Sequence, residues 1–132
     1  MVYTMMKPHN PPSIAAPMAL YVHANEVPAN ARWLFVSGQV GAHPDGRVGA
    51  SALEQTEIIW HNIEAILASA GMDLRDIVKV TTYSTSADHL AALKEVRDRV
   101  LQGHLPASTL LIVKALARPE WLVEIEVYAA RV

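Results

Sequence analysis

The sequence predicts a single α+β domain, with five strands and two helices in the order β-β-α-β-α-β-β. Two segments repeat apolar residues at three- and four-residue spacing, which is the periodicity of an amphipathic helix. The segments around them are short, rich in β-branched and aromatic residues, and bounded by glycine or proline. A chain of 132 residues suits one domain, so we assign residues 1–132 to it.

The chain is expected to begin with an irregular arm followed by two strands. Residues 1–17 contain several prolines, which break any regular pattern. Strands are predicted over 18–27 and 29–42, and the second is the clearer because it contains the run "WLFV" before Gly38. The turn "HPDG" then separates these strands from the first helix, since Asp45 and Gly46 tolerate turn geometry.

Helices and strands alternate in the rest of the chain. Ser51 and Glu54 match a capping box, in which the serine and glutamate side chains satisfy backbone N–H groups at a helix start. Gly71 supplies the stop of that helix. The short link over 117–120 predicts a hairpin between the last two strands. The predicted elements are a helix over 51–70, a strand over 76–85, a helix over 87–102, and strands over 108–116 and 121–132.

The composition is rich in apolar residues for so small a chain. Hydrophobic residues make up 52% of it and charged residues 18%, whereas globular domains average about 45–50% and 25%. Part of this apolar surface is therefore expected in an oligomer interface. A well-filled core is the alternative.

Charge and residue usage exclude several classes of function. A net charge of −2 argues against a nucleic-acid or anionic-membrane partner. The chain has no cysteine, which rules out disulfides and thiolate chemistry and is compatible with the cytoplasm. The first residues lack the apolar core of a signal peptide, and no run of about 18 apolar residues predicts a membrane span.

Two glutamates on the last predicted strand are the residues that most suggest chemistry. Alternation places Glu124, Glu126 and Tyr128 on one face of the strand, opposite an apolar face. A solvated outer sheet face would explain this pattern. A carboxylate that places or activates a water in an oligomer cleft would explain it too.

Other polar residues give weaker signals. The six histidines lack metal-ligand spacing, so we expect no metal site. Ser37 in "SGQ" lacks the surroundings of a hydrolase nucleophile, and no phosphate-binding loop is present. Lys94, Arg97 and Arg99 are balanced by neighbouring acidic residues and are most simply a solvated helix face. The Arg97 stem can also lie beside the apolar stripe of that helix.

Four segments in order resemble the Rid family, the reactive-intermediate (imine) deaminases also called YjgF. They are "LFVSGQVGAHPDGRV" (34–48), "QTEIIWHNIEAILASAGMDLRDIVKVTTY" (55–83), "LPASTLLIVKALA" (105–117) and "LVEIEVYA" (122–129). The resemblance covers roughly residues 18–132. It implies a chorismate-mutase-like fold, with one mixed sheet and two helices on one face. It also implies a homotrimer with small-molecule sites in the clefts between subunits, and no metal or organic cofactor.

The resemblance also assigns site residues by motif position. The deaminase branch hydrolyses enamines and imines to 2-keto acids and ammonia, and a glutamate that helps to place the water matches Glu124. The serine of "SGQ" matches Ser37, and Tyr21 is the nearest tyrosine to the family position. An arginine that grips the substrate carboxylate would stand at Ser108, which is followed here by Thr109. The chain therefore resembles a branch without this arginine.

Three hypotheses follow from these observations. The first is an imine or enamine hydrolase in which Glu124 places the water and Ser37, Ser108 and Thr109 hold a ligand that is not the usual 2-imino acid. The second is a trimer that binds a small metabolite without turning it over. The third, an endoribonuclease, is opposed by the acidic balance of the chain.

Overall fold

A four-stranded mixed sheet with two helices on one face forms the body of the protein in the computed structural model, which describes residues 6–132. The strands lie in the order β3-β6-β4-β5, with β6 antiparallel to both neighbours and β4 parallel to β5. The elements are β1 Lys7–His9, β2 Ala24–Glu26, β3 Arg32–Val40, α1 Ala52–Ser69, β4 Ile77–Ser84, α2 Leu90–Leu101, β5 Ala107–Ile112 and β6 Val123–Arg131.

Helix α1 begins where the capping pattern predicts. The Ser51 side chain accepts a hydrogen bond from the Glu54 backbone at 3.1 Å, and the Glu54 carboxylate accepts one from the Ala50 backbone at 3.0 Å. The glutamate thus reaches one residue further back than in the standard capping box. Gly71 follows the helix at a φ of 69°, which a glycine adopts without strain.

The core lies between the helices and the sheet. Strand β6 is central and is hydrogen-bonded to a neighbouring strand on each edge. On one of its faces, the alternate side chains from Val123 to Ala129 all belong to this core. The α1 side chains Ile59, Trp60 and Ile63 pack against that face and are almost completely buried. Alternation along β6 leaves its other side chains on the face away from the helices, here called the outer face.

The predicted hairpin over 117–120 is wrong. Strand β5 pairs with β4 in parallel and lies at the sheet edge, while β6 inserts between β3 and β4. The link from 113 to 122 therefore passes the end of β4, where Val113 and Leu122 form backbone hydrogen bonds with Ser84 and Thr85, instead of turning back on β5. The prediction failed because turn residues report a change of direction and not which strand becomes the neighbour. The predicted strand over 108–116 also ends early, at Ile112.

The N-terminal predictions need two corrections. The arm over 1–17 is not irregular throughout, because Lys7–His9 pairs with Ala24–Glu26 in a separate two-stranded sheet. Residues 1–5 lie outside the described part of the chain. The strand predicted over 18–27 is regular only at 24–26, although Val22 makes a single parallel bridge to Ala107 at the edge of the main sheet.

Gln55 connects the start of α1 to the segment that enters β6. Its side-chain amide is buried and donates to the Gly49 carbonyl at 2.9 Å and the Glu120 carbonyl at 3.0 Å. Its carbonyl oxygen accepts from the Leu122 backbone at 2.9 Å. One side chain therefore satisfies three backbone groups from two loops, and it fixes the chain two residues before Glu124.

Replacing Gln55 with alanine is expected to lower the free energy of unfolding by about 2–3 kcal/mol, because backbone groups in two loops lose their partner. Urea unfolding followed by circular dichroism measures this loss. Gln39→Ala is the matched control, since that amide makes one hydrogen bond near the surface, to the Ser37 carbonyl at 3.0 Å. Equal stability of the Gln55 variant and the wild type would contradict the role given to Gln55.

Candidate active site

Glu124 lies on the outer face against the backbone of β3. Strand β3 is irregular between Val36 and Gln39, and Gly38 lies within that irregularity. A Cβ on Gly38 would overlap the Glu124 carboxylate, so the glycine leaves the space that this side chain occupies. Ser37 is exposed and directly precedes Gly38. Ser37 is therefore one residue from the glycine that faces the Glu124 carboxylate.

The electrostatic environment of Glu124 favours its protonated form. Burial raises the pKa of this carboxyl above that of an ordinary glutamate, and the nearby Glu126 raises it further. Glu126 itself accepts a hydrogen bond from the Tyr83 hydroxyl at 3.2 Å. A carboxyl group with a raised pKa is better suited to accept a proton from water near neutral pH than an ordinary glutamate is.

Thr109 also belongs to the outer face. It stands beside Thr81 in the β4–β5 register, and its hydroxyl accepts a hydrogen bond from Lys79 Nζ at 2.7 Å. Thr109 therefore does not share a surface with its neighbour Ser108, because successive strand residues point to opposite faces.

Ser108 and Tyr21 line a cavity of about 310 Å³ between α2 and the sheet. Ser108 pairs with the buried Val80 and so points to the helix side of β5. The Val22 backbone N–H donates to the Pro106 carbonyl at 3.1 Å, which holds the preceding Tyr21 beside Ser108. The Tyr21 hydroxyl accepts from the Met18 backbone at 3.2 Å. The volume is at the lower end of the usual range for small-molecule pockets.

Two cavity residues were assigned by the sequence to a solvated helix face. Lys94 and Arg97 of α2 line the same cavity as Ser108. They are three residues apart and so lie on one side of the helix. Both donate to Asp98, Lys94 at 2.6 Å and Arg97 at 3.1 Å. Arg99, which pairs with Glu57 at the surface, and Lys94, whose side chain is 59% exposed, fit the solvated-face interpretation. Arg97 is only 15% exposed and does not fit it.

The sequence contains one indication that Arg97 lies beside this cavity. Leu90 and Leu93 form the apolar stripe of α2 and also line the cavity. Arg97 follows Leu93 by four residues, so its stem continues that stripe. The sequence does not show that the apolar stripe of α2 is left partly uncovered where it lines the cavity. The near balance of acidic and basic residues along α2 also does not indicate which cations face the sheet.

The site residues therefore form two groups on opposite faces of the sheet. Tyr21 and Ser108 lie around the cavity on the helix side, whereas Ser37, Glu124 and Thr109 belong to the other side. Within one chain the sheet separates Glu124 from the cavity.

The outer face also carries an exposed aromatic cluster. Phe35 is 70% exposed, stacks on Trp33 at 6.1 Å between ring centroids, and meets the edge of Tyr128 at 5.2 Å. Three adjacent exposed aromatic rings form the kind of patch that marks a protein interface.

Residues 6–132 contain neither a cluster of metal-ligating side chains nor a membrane-spanning helix. No group of three or more histidine, aspartate or glutamate side chains is placed to hold a metal ion in that part of the chain. No described helix is long and apolar enough to cross a membrane.

Comparison with known proteins places these features in a family. The Endoribonuclease L-PSP family model matches residues 13–131. The 2-iminobutanoate/2-iminopropanoate deaminase of Mus musculus is 31% identical over 118 residues, which is 88% of this chain and 86% of that protein. A RutC family protein of Pyrococcus abyssi is 34% identical over 99 residues, covering 74% of this chain and 77% of the relative.

Solved structures agree with the sequence matches. A Rid-family protein of Yersinia pestis superposes with a TM-score of 0.87 at 30% identity, covering 97% of this chain and all of that one. RidA from an Antarctic Psychrobacter superposes with a TM-score of 0.71 at 31% identity, covering 86% and 90% of the two chains. The expected chorismate-mutase-like α+β fold is thereby confirmed, and the chain belongs to the Rid (YjgF) family.

Proposed function

We propose that this protein hydrolyses a small imine, or the enamine in equilibrium with it, to a carbonyl compound and ammonia. The observation that carries the proposal is the Glu124 carboxyl group, held against Gly38 with its pKa raised. The deaminase activity named for the mouse relative supports the reaction class.

The chemistry assigned to Glu124 is that of a general base. Its carboxylate accepts a proton as water attacks the imine carbon, so that a C–O bond forms and the C=N double bond becomes a single bond. The protonated carboxyl group returns that proton to nitrogen, which gives a neutral carbinolamine. The carboxylate then removes the hydroxyl proton as the C=O double bond forms and delivers it to nitrogen, so that the C–N bond breaks and ammonia leaves. In this proposal Ser37, which precedes Gly38, hydrogen-bonds a ligand that reaches Glu124.

We place this reaction in clefts between the subunits of a homotrimer. The exposed cluster around Phe35 lies on the same face as Glu124, so association through this face would bury the aromatic rings and enclose the carboxylate. The cavity with Tyr21 and Ser108 lies on the other side of the sheet, and a neighbouring subunit would bring it to Glu124. The cysteine-free composition suits the cytoplasm, which we propose as the location.

A second function is favoured by Ser108. A neutral side chain there removes the charge that a deaminase of this family would direct at a carboxylate, so the trimer would bind a small metabolite without hydrolysing it. Ammonia release from imines formed from several amino acids separates the two functions. A rate above the spontaneous one supports hydrolysis, and an unchanged rate with measurable ligand binding supports the alternative. RNA cleavage by repurified protein would support the endoribonuclease hypothesis instead.

Glu124→Gln is expected to abolish ammonia release while leaving the fold intact. In the wild type the rate should rise with pH as Glu124 ionises, at a pH above the usual glutamate range. The raised pKa means that the folded protein loses stability as pH rises through it, because the native state binds this proton more tightly than the unfolded state. The glutamine variant should therefore unfold at the same temperature as the wild type, or higher, at pH 7. Full activity of this variant would contradict the assignment.

Glu126→Gln is the matched control. Its charge raises the pKa of Glu124, so its removal should move the rise in rate to lower pH and preserve turnover. An unchanged pH profile would show that Glu124 does not govern it.

Phe35→Asp is expected to convert the trimer to monomers, because it places a charge in the centre of the apolar outer face. Size-exclusion chromatography with light scattering measures the mass. Leu53→Asp is the control, since Leu53 is an exposed apolar residue on α1 instead of the outer face. A trimeric Phe35 variant, or a monomeric Leu53 variant, would contradict this assembly.

A further inference from the structure

The cavity on the helix side of the sheet is lined by cationic and hydroxyl groups as well as by apolar side chains. Ser108 would be the family position for an arginine, yet Arg97 and Lys94 face the same cavity from α2. Asp98 is the acidic partner of both cations. Burial opposes its ionisation, but hydrogen bonds from Lys94 and Arg97 hold the pKa of Asp98 below its usual range. Two cations and one carboxylate leave this group with one net positive charge.

Arg97 has capacity left for a ligand. Its side chain is 15% exposed, and its Nε and Nη2 donate to the same Asp98 oxygen at 3.2 and 3.1 Å. Its Nη1 donates to no acceptor within residues 6–132. Lys94 is 59% exposed, so water screens its charge more strongly. Arg97 is therefore the stronger anchor for an anion.

Other polar groups of the cavity also lack partners. Thr82 is 7% exposed, and neither its hydroxyl nor that of Ser108 forms a hydrogen bond with any residue from 6 to 132. Trp60 forms part of the wall, and its buried Nε1–H has no acceptor in the same part of the chain. Of these three groups only the Trp60 Nε1–H is buried without a partner, whereas the hydroxyls of Thr82 and Ser108 are not sealed from solvent and are available to a polar ligand in the cavity.

We propose that Arg97, assisted by Lys94, determines the specificity of the cavity for a small ligand that has a carboxylate and a short apolar body. The positive charge missing at position 108 is supplied from α2, across the cavity from β5. Leu90, Leu93 and Leu110 would contact the apolar body. This inference rests on the proposed function for the identity of the ligand, and it revises the expectation that a neutral Ser108 excludes carboxylates.

Binding of 2-oxobutanoate, the keto acid expected from 2-iminobutanoate hydrolysis, tests the proposal. Its uncharged amide, 2-oxobutanamide, is the comparison ligand. Calorimetry should show that the wild type binds the acid more tightly than the amide, and that Arg97→Met weakens binding of the acid by about tenfold or more. Methionine retains an apolar stem beside α2. Equal affinity for the acid and the amide, or unchanged binding in the variant, would overturn the proposal.

Three further variants separate charge from folding. Arg99→Met removes an α2 cation that pairs with Glu57 outside this cavity, so it should leave binding unchanged. Arg97→Lys should retain part of the affinity. Adding Ser108→Arg to Arg97→Met should restore carboxylate binding by returning the charge to β5. If the double variant unfolds at an unchanged temperature but does not bind 2-oxobutanoate, a positive charge on β5 does not replace the one on α2. That result would count against the proposal.

The outcome also separates this proposal from hydrolysis. Binding of 2-oxobutanoate that depends on Arg97, without ammonia release from any imine, supports the anchor and overturns the hydrolase. Hydrolysis that proceeds equally well in Arg97→Met overturns the anchor and supports the hydrolase.

Discussion

The alternation of side chains along β6 is the constraint on which the rest of the structure depends. This central strand has neighbours on both edges, so its register fixes which residues face the helices. Val123, Ile125 and Val127 fill the core, and the intervening Glu124 and Glu126 are therefore forced onto the outer face. A shift of one residue would bury two carboxylates in the core and expose its centre. The core and the proposed catalytic base are consequently set by the same pairing.

This arrangement separates the functional groups of one chain. The sheet that presents Glu124 on one side has the cavity of Ser108 and Arg97 on the other. The aromatic cluster around Phe35 provides a reason for chains to associate through the outer face. Part of the high apolar content of the chain therefore lies on the outer face and not in the core. In this account, association both buries that surface and completes a site that no chain forms alone.

Much of the fold could be predicted from the sequence because its determinants are local. The Ser51 cap and Gly71 stop bracket α1, and β-branched alternation identifies β4 and β6. The hairpin between the last strands was mispredicted because β5 and β6 are adjacent in sequence but not in the sheet. The strand predicted over 18–27 was shortened for a similar reason, since its partner is the N-terminal segment Lys7–His9. Strand partners depend on long-range contacts that local patterns do not record.

The site was predictable only where one residue's position implies its role. Alternation identified Glu124, and the family resemblance identified Ser108 as a site position without its arginine. Neither could place Arg97 opposite Ser108, because the two belong to separate elements and the charges of α2 appear balanced in sequence. From β5 alone, the absence of an arginine at position 108 predicts weaker carboxylate binding. In the structure, Arg97 of α2 lines the same cavity as Ser108 and provides a cation there.

Mixed trimers test most directly the central claim that one subunit supplies the cavity and its neighbour supplies Glu124. Glu124→Gln subunits, which are inactive, and Arg97→Met subunits, which are at least about tenfold less active on a carboxylate imine supplied well below saturation, would be co-refolded in equal amounts. Random assembly should restore about a quarter of wild-type ammonia release, because one cleft in four then combines an intact cavity with an intact glutamate. Mixtures that form mixed trimers but are no more active than the Arg97→Met subunits alone would contradict a site shared between subunits.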